Sequence, residues 1–241
     1  MDDAHRVFGA AISEVWDELD WVLLGRSCCE GDGSELFDEP LRARILETGL
    51  ALAGDLGEAL AEGGSSLYLG AEIAELPVML AERIVLGRRI EWLNVDGPAV
   101  RELSRALAAV SARLGVELPT PSVRALAELE AARFDHLWIV SVLTDPDYFP
   151  ALHDALYRRA TGPLATGRGR LEDDRARAER LVDELLDRAT ATSVLTTTDE
   201  ERTIVEPLVA RRGWSLDFAP DGRVSAVVGD RVRIGTMRRE R

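Results

Sequence analysis

Lysine and glutamine are absent from this 241-residue chain, asparagine occurs once, at Asn94, and all 29 basic residues are arginine. Without an ε-amine there is no Walker-type phosphate loop, no pyridoxal Schiff base and no lysine-based aldolase chemistry. Cysteine is scarce as well: the two thiols are the adjacent pair Cys28 and Cys29, and sequence neighbours rarely reach disulfide geometry. This usage predicts a reduced, cytoplasmic protein. The start Met1, Asp2, Asp3 is acidic where a secretion signal is basic, and no apolar run approaches the length of a membrane span. Net positive charge is missing too. At −14, with a pI near 4.7, the mean field repels polyanions, which argues against nucleic-acid or anionic-membrane partners.

What is present is a long pattern of alternating elements. Apolar residues Phe8, Ala11, Ile12, Val15, Trp16, Leu19, Val22 and Leu23 recur at three- and four-residue steps and predict one amphipathic helix over residues 2–24. A turn-rich stretch, 25–34, reads as a loop, and Asp38 with Pro40 marks the start of a second helix running towards Gly63 and Gly64. From residue 64 onward strands and helices alternate, as in a parallel sheet covered on both faces. The expected strands are 66–69, 90–95, 122–125, 137–143 and 193–197, with helices over 75–86, 98–114, 147–159, 171–188 and 200–212. Short segments 214–218, 223–228 and 232–236, joined by turns at Pro220, Asp221, Gly222 and at Gly229, Asp230, read as antiparallel. The expected organisation is an N-terminal helical cap or lid, residues 1–63, and an α/β Rossmann-like core, residues 64–241.

Three segments carry a resemblance. Ser66, Leu67, Tyr68, Leu69, Gly70, Ala71, Glu72, Ile73 and Ala74 form a strand ending in a turn of small residues, with Gly70, Glu72 and Ala74 at the alternate positions. Such a turn needs small residues because the backbone bends tightly and approaches a ligand. Glu91 to Val100 places Asn94, Val95 and Asp96 at the end of the next strand, and Phe134, Asp135 lead the buried strand that ends near Ser141. In order and spacing these resemble the motifs of class I S-adenosylmethionine-dependent methyltransferases over residues 64–236. The resemblance implies a seven-stranded, mostly parallel sheet with antiparallel C-terminal strands, S-adenosylmethionine as cofactor, and Gly70, Glu72, Asn94, Val95 and Ser141 lining its cleft. Asp96 is the alternative to Asn94 as a ribose ligand.

The function expected on that basis is methyl transfer to a small molecule. Tyr148 and His153, just past the fourth strand, are the catalytic candidates, although helix packing explains both equally well; His136, at the opposite strand end, reads as structural. A catalytically inactive methyltransferase fold serving as a binding or assembly module, possible as a homodimer, is the alternative, because Glu72 and Asn94 depart from the family pattern. A nicotinamide-dependent reductase is a third, opposed by the antiparallel tail. The cluster Cys28, Cys29, Glu30, Asp32 lacks zinc-ligand spacing, so no metal is expected.

Overall fold

The computed structural model describes residues 3–28, 32–129, 132–159 and 165–240. Two compact units emerge: Met1–Ala125 with Ser225–Gly229, and Leu126–Val224 with Asp230–Arg241. The fold class is α/β, with parallel strands followed by antiparallel C-terminal strands, as the element pattern predicts.

In the first unit three helices precede the strands. The single helix expected over 2–24 is two, α1 (Asp3–Glu18) and α2 (Trp21–Cys28). The break lies at Asp20, whose carboxylate accepts from Leu23 N (3.0 Å) and so restarts the helix. α2 also extends into the stretch expected to be loop; Cys29, Glu30 and Gly31 lie outside the described residues. α3 (Glu39–Ala59) begins at Asp38, which caps Leu41 N at 2.9 Å. Glycines 49, 54 and 57 do not interrupt it. Gly49 packs tightly against Pro77: a Cβ there would meet Pro77 Cγ at 2.7 Å.

Strand β1 (Ser65–Leu69) pairs in parallel with β2 (Arg89–Asn94), and β2 with the two-residue β3 (Ser122–Val123). A 3₁₀ turn, Ile73–Glu75, and α4 (Leu76–Ile84) connect β1 to β2; α5 (Pro98–Leu114) connects β2 to β3. The N-terminal helices pack on this layer, α1 and α3 against α4 and α1 and α2 against α5. Arg105 and Arg113 of α5 hold Glu18 and Glu14 of α1, and the Asp20 N–H donates to Glu102.

In the second unit β4 (Phe134–Ile139) pairs in parallel with β5 (Ala189–Thr198). β8 (Arg231–Arg239) inserts antiparallel between β5 and β6 (Trp214–Phe218), and the short β7 (Arg223–Val224) adds to the far end of β8. Helices α6 (Pro150–Leu156), α7 (Leu171–Leu186) and α8 (Arg202–Arg211) complete the unit. β4 stops four residues before the expected end because Ser141 takes a positive φ (59°) and Leu143 N donates to Glu201 rather than to a strand. α6 is shorter than expected at both ends: Asp145 ties Asp147 N and Tyr148 N into a side-chain turn, and Arg158 turns left-handed (φ 56°).

No helix among the described residues is long and apolar enough to cross a membrane.

Candidate functional site

Parallel α/β layers gather chemistry at the C-terminal ends of their strands, where the backbone must turn into a helix. The first unit has such a turn after β1. Gly70 N continues the ladder by donating to Leu93 O (2.9 Å), and its φ of +67° reverses the chain. That conformation favours glycine, since an L side chain there crowds its own carbonyl.

The next peptide is fixed by side chains from β2. Ala71 O accepts both from Trp92 Nε1 (2.9 Å) and from Asn94 Nδ2 (2.8 Å). Asn94 Oδ1 in turn accepts from Val95 N (2.8 Å). The chain's single asparagine is therefore a strut between two strand ends, a task that requires a donor and an acceptor on one short side chain. Glu72 N donates to Glu75 Oε2 (2.8 Å), and Glu75 N donates back to Glu72 O (3.3 Å). Desolvation, with the neighbouring Glu72 charge, pushes the Glu75 carboxyl up from 4.5 to about 7. Beyond β2, Val95 is exposed, and Asp96 projects into solvent with Arg101 as its ion-pair partner (2.6 Å). Gly97 opens α5 with no side-chain cap and with open space where a Cβ would stand.

The second unit has its own turn, after β4. Ser141 Oγ donates to Asp230 Oδ2 (3.1 Å), and Tyr157 Oη donates to the same oxygen (2.5 Å). Burial, reinforced by this bond to a carboxylate, raises the Tyr157 phenol well above its ordinary range. Asp230 is 4% exposed. A second carboxylate, fully buried Glu201, accepts from Leu143 N (2.8 Å), Thr197 Oγ1 (3.1 Å), Thr198 N (3.3 Å) and Thr198 Oγ1 (3.2 Å). Desolvation outweighs those bonds and lifts it from 4.5 to about 7.

His153 is buried, its Nδ1 2.6 Å from Thr144 O and its Nε2 3.4 Å from the Arg159 guanidinium. Its ring meets Tyr157 edge-on, 4.8 Å between centroids. Tyr148 is exposed, and only its backbone is engaged, its carbonyl accepting from Arg177. His136 is buried against Thr196 Oγ1 (3.0 Å).

Gly70, Glu72, Asn94 and Val95 thus share one turn in the first unit, while Ser141 and His153 belong to a cluster in the second. Asp230, Tyr157, Glu201 and Thr144, which bind that cluster together, escape sequence reasoning. Asp230 reads as a turn residue after Gly229, and Tyr157 and Glu201 as ordinary helix positions. Among the described residues no group of three or more His, Cys, Asp or Glu side chains is placed to hold a metal ion.

No family model and no curated protein sequence matches the chain. Solved structures that it resembles include precorrin-6y C5,15-methyltransferase from Geobacter metallireducens, at 15% identity, 85% of this chain, 90% of that one and a TM-score of 0.44. A methyltransferase from Pyrococcus furiosus gives 14% identity, 80% and 83% coverage and a TM-score of 0.47. TYW2 of M. jannaschii, solved in complex with AdoMet, gives 9% identity, 80% and 77% coverage and a TM-score of 0.46.

Proposed function

We propose that this chain is an S-adenosylmethionine-dependent methyltransferase acting on a small molecule. The observation that carries the reading is the turn after β1: a left-handed glycine, a following peptide locked by Trp92 and Asn94, and a helix start behind it. The residues of this turn fit the cofactor. Gly70 leaves no side chain on the bend, Glu72 carries a carboxylate suited to the amino group, and exposed Asp96 carries one suited to the ribose hydroxyls. Asn94 serves by holding the turn, and Val95 offers an exposed apolar edge. When bound, the cofactor supplies a methyl group already activated on a sulfonium, so the chain's residues have only to bind and align. The charge of −14 disfavours polyanionic substrates, consistent with a small acceptor. Residues 1–63, packed on α4 and α5, act in this reading as the cap of the first unit, and the absence of an obvious disulfide pair fits a cytoplasmic setting.

A second reading has one observation in its favour. Asn94's amide and the Glu72 N–H are both engaged within the turn itself, as expected of a fold kept for assembly rather than catalysis. Titration calorimetry with S-adenosylhomocysteine separates the two. The methyltransferase reading expects saturable heat that is abolished by Gly70→Val and weakened about tenfold by Asp96→Ala, the loss of one charged hydrogen bond. No heat at millimolar ligand with the wild-type chain sinks it.

A further inference from the structure

The sheet of the second unit ends on β6, and among the described residues no strand pairs with its outer edge. Natural edge strands are protected by shortness, proline, inward charge or a covering segment. β6 has five residues, Trp214, Ser215, Leu216, Asp217 and Phe218, with one charge and no proline. Trp214, Leu216 and Phe218 share the face that looks towards α8, and all three are only half-buried. Beside them lies an open groove of about 450 Å³ lined by Arg202, Glu206, Val209, Trp214, Leu216 and Phe218. A groove that sets aromatic and aliphatic side chains beside charged ones, next to an unpaired strand, is a docking surface in search of an occupant.

We infer that the occupant is a second copy of this chain, joined β6 to β6 in antiparallel register about Leu216. The sequence of the strand is self-complementary in that register. A two-fold axis at Leu216 sets Trp214 opposite Phe218 of the second copy, and Ser215 opposite Asp217. The aromatic pair then falls on the groove face together with the two leucines. On the other face the existing ladder places Arg238 directly across from Ser215. With strands 4.7–4.9 Å apart, Arg238 and Asp217 of the second copy stand roughly 10 Å apart at Cα, with only the small Ser215 between. An arginine side chain reaches that far, and symmetry makes the bridge twice. Both groups are available: their side chains are 59% and 75% exposed, with only a long 3.9 Å contact to each other within one chain. Arg202, Arg238 and Arg239 offset Glu206 and Asp217 on this edge, so the docking face escapes the repulsion that a net charge of −14 imposes elsewhere.

Sedimentation equilibrium of the full chain over ~1 to ~200 µM tests this, a range suited to an interface of one strand pair. The expected mass rises from 26.4 kDa towards twice that value. Leu216→Glu holds the chain monomeric throughout. Because Leu216 is half-buried and the variant can unfold, the exposed charges provide the decisive cycle. Asp217→Arg and Arg238→Asp each weaken association about tenfold, and the double variant recovers it. A wild-type chain that stays monomeric at the highest concentration overturns the inference. So does a dimer indifferent to the charge exchange, since it is held by another face.

Discussion

The turns after β1 and after β4 solve the same problem with different materials. In the first, a glycine at φ +67° makes the bend and neutral side chains, Trp92 and Asn94, secure the peptide that follows. In the second, a serine at φ +59° makes the bend and buried carboxylates, Asp230 and Glu201, secure it. A serine tolerates that conformation at a cost of about 1 kcal/mol, which its bond to Asp230 offsets. The glycine turn needs no side chain at its bend; the serine turn bonds its side chain to a buried carboxylate. The contrast is between a turn secured by neutral groups and one secured by buried carboxylates.

That contrast is most severely tested at Glu201. Glu201→Ala leaves Leu143 N, Thr198 N and two threonine hydroxyls without their acceptor in a dry interior, so a loss of about 3 kcal/mol is expected in urea unfolding. A loss under about 1 kcal/mol means that the second turn is not held by this carboxylate. Gly70→Val forces a β-branched residue into the left-handed region and is expected to lower stability by about 2 kcal/mol while abolishing cofactor binding. Asn94→Asp replaces the amide that donates to Ala71 O with a carboxylate facing a carbonyl. The expectation is a loss of about 1–2 kcal/mol and no gain in cofactor affinity; tighter binding instead shows Asn94 to be a ligand rather than a strut.

The pH dependence comes next. Glu75 and Glu201 both have folded-state values raised from 4.5 to about 7. The folded state therefore favours their protonated forms, and their contribution is complete below about pH 4.5 and is lost as the pH rises through about 7. Melting temperatures taken at intervals between about pH 5 and pH 8 are expected to fall across that window for the wild type and to fall less for Glu75→Gln, whose amide oxygen still accepts from Glu72 N. Identical slopes in the two proteins remove Glu75 from the account. The smallest effect is expected at Ser141→Gly, where relief of the left-handed strain and loss of the bond to Asp230 cancel to within about 0.5 kcal/mol.

Much of the architecture was legible because it is written in periodicities. Helix α5 and strand β6 have the expected limits, with Pro98 at the head of the helix, Gly115 in a left-handed cap, and alternation from Trp214 to Phe218. The single first helix was misread because an apolar stripe says nothing of where Asp20 turns its carboxylate back on the chain. β4 was drawn too long because Val140 to Leu143 read as a continuing strand while the Leu143 N–H goes to a carboxylate fifty-eight residues on. At the candidate site the position of Gly70 could be read from the strand-turn-helix order. The bonding of Asn94 to Ala71 could not, since it joins residues twenty-three apart whose meeting depends on the register of β1 and β2. Asp230 and Tyr157 were invisible for the same reason, seventy-three residues apart and unremarkable in their local settings.

One buried arrangement beneath the first turn bears on how that turn is built during folding. Arg88 reaches Glu82 of α4 and Ser66 Oγ of β1 at 3.1 Å each, and Ala61 O just past α3, while Tyr68 of β1 donates to the same Glu82. Three consecutive segments of chain are thus wired to one guanidinium from which water is excluded, and none of them completes its bonding until the others arrive. Amide protons of β1, the end of α3 and α4 should accordingly exchange as a single slow block, opening together or not at all.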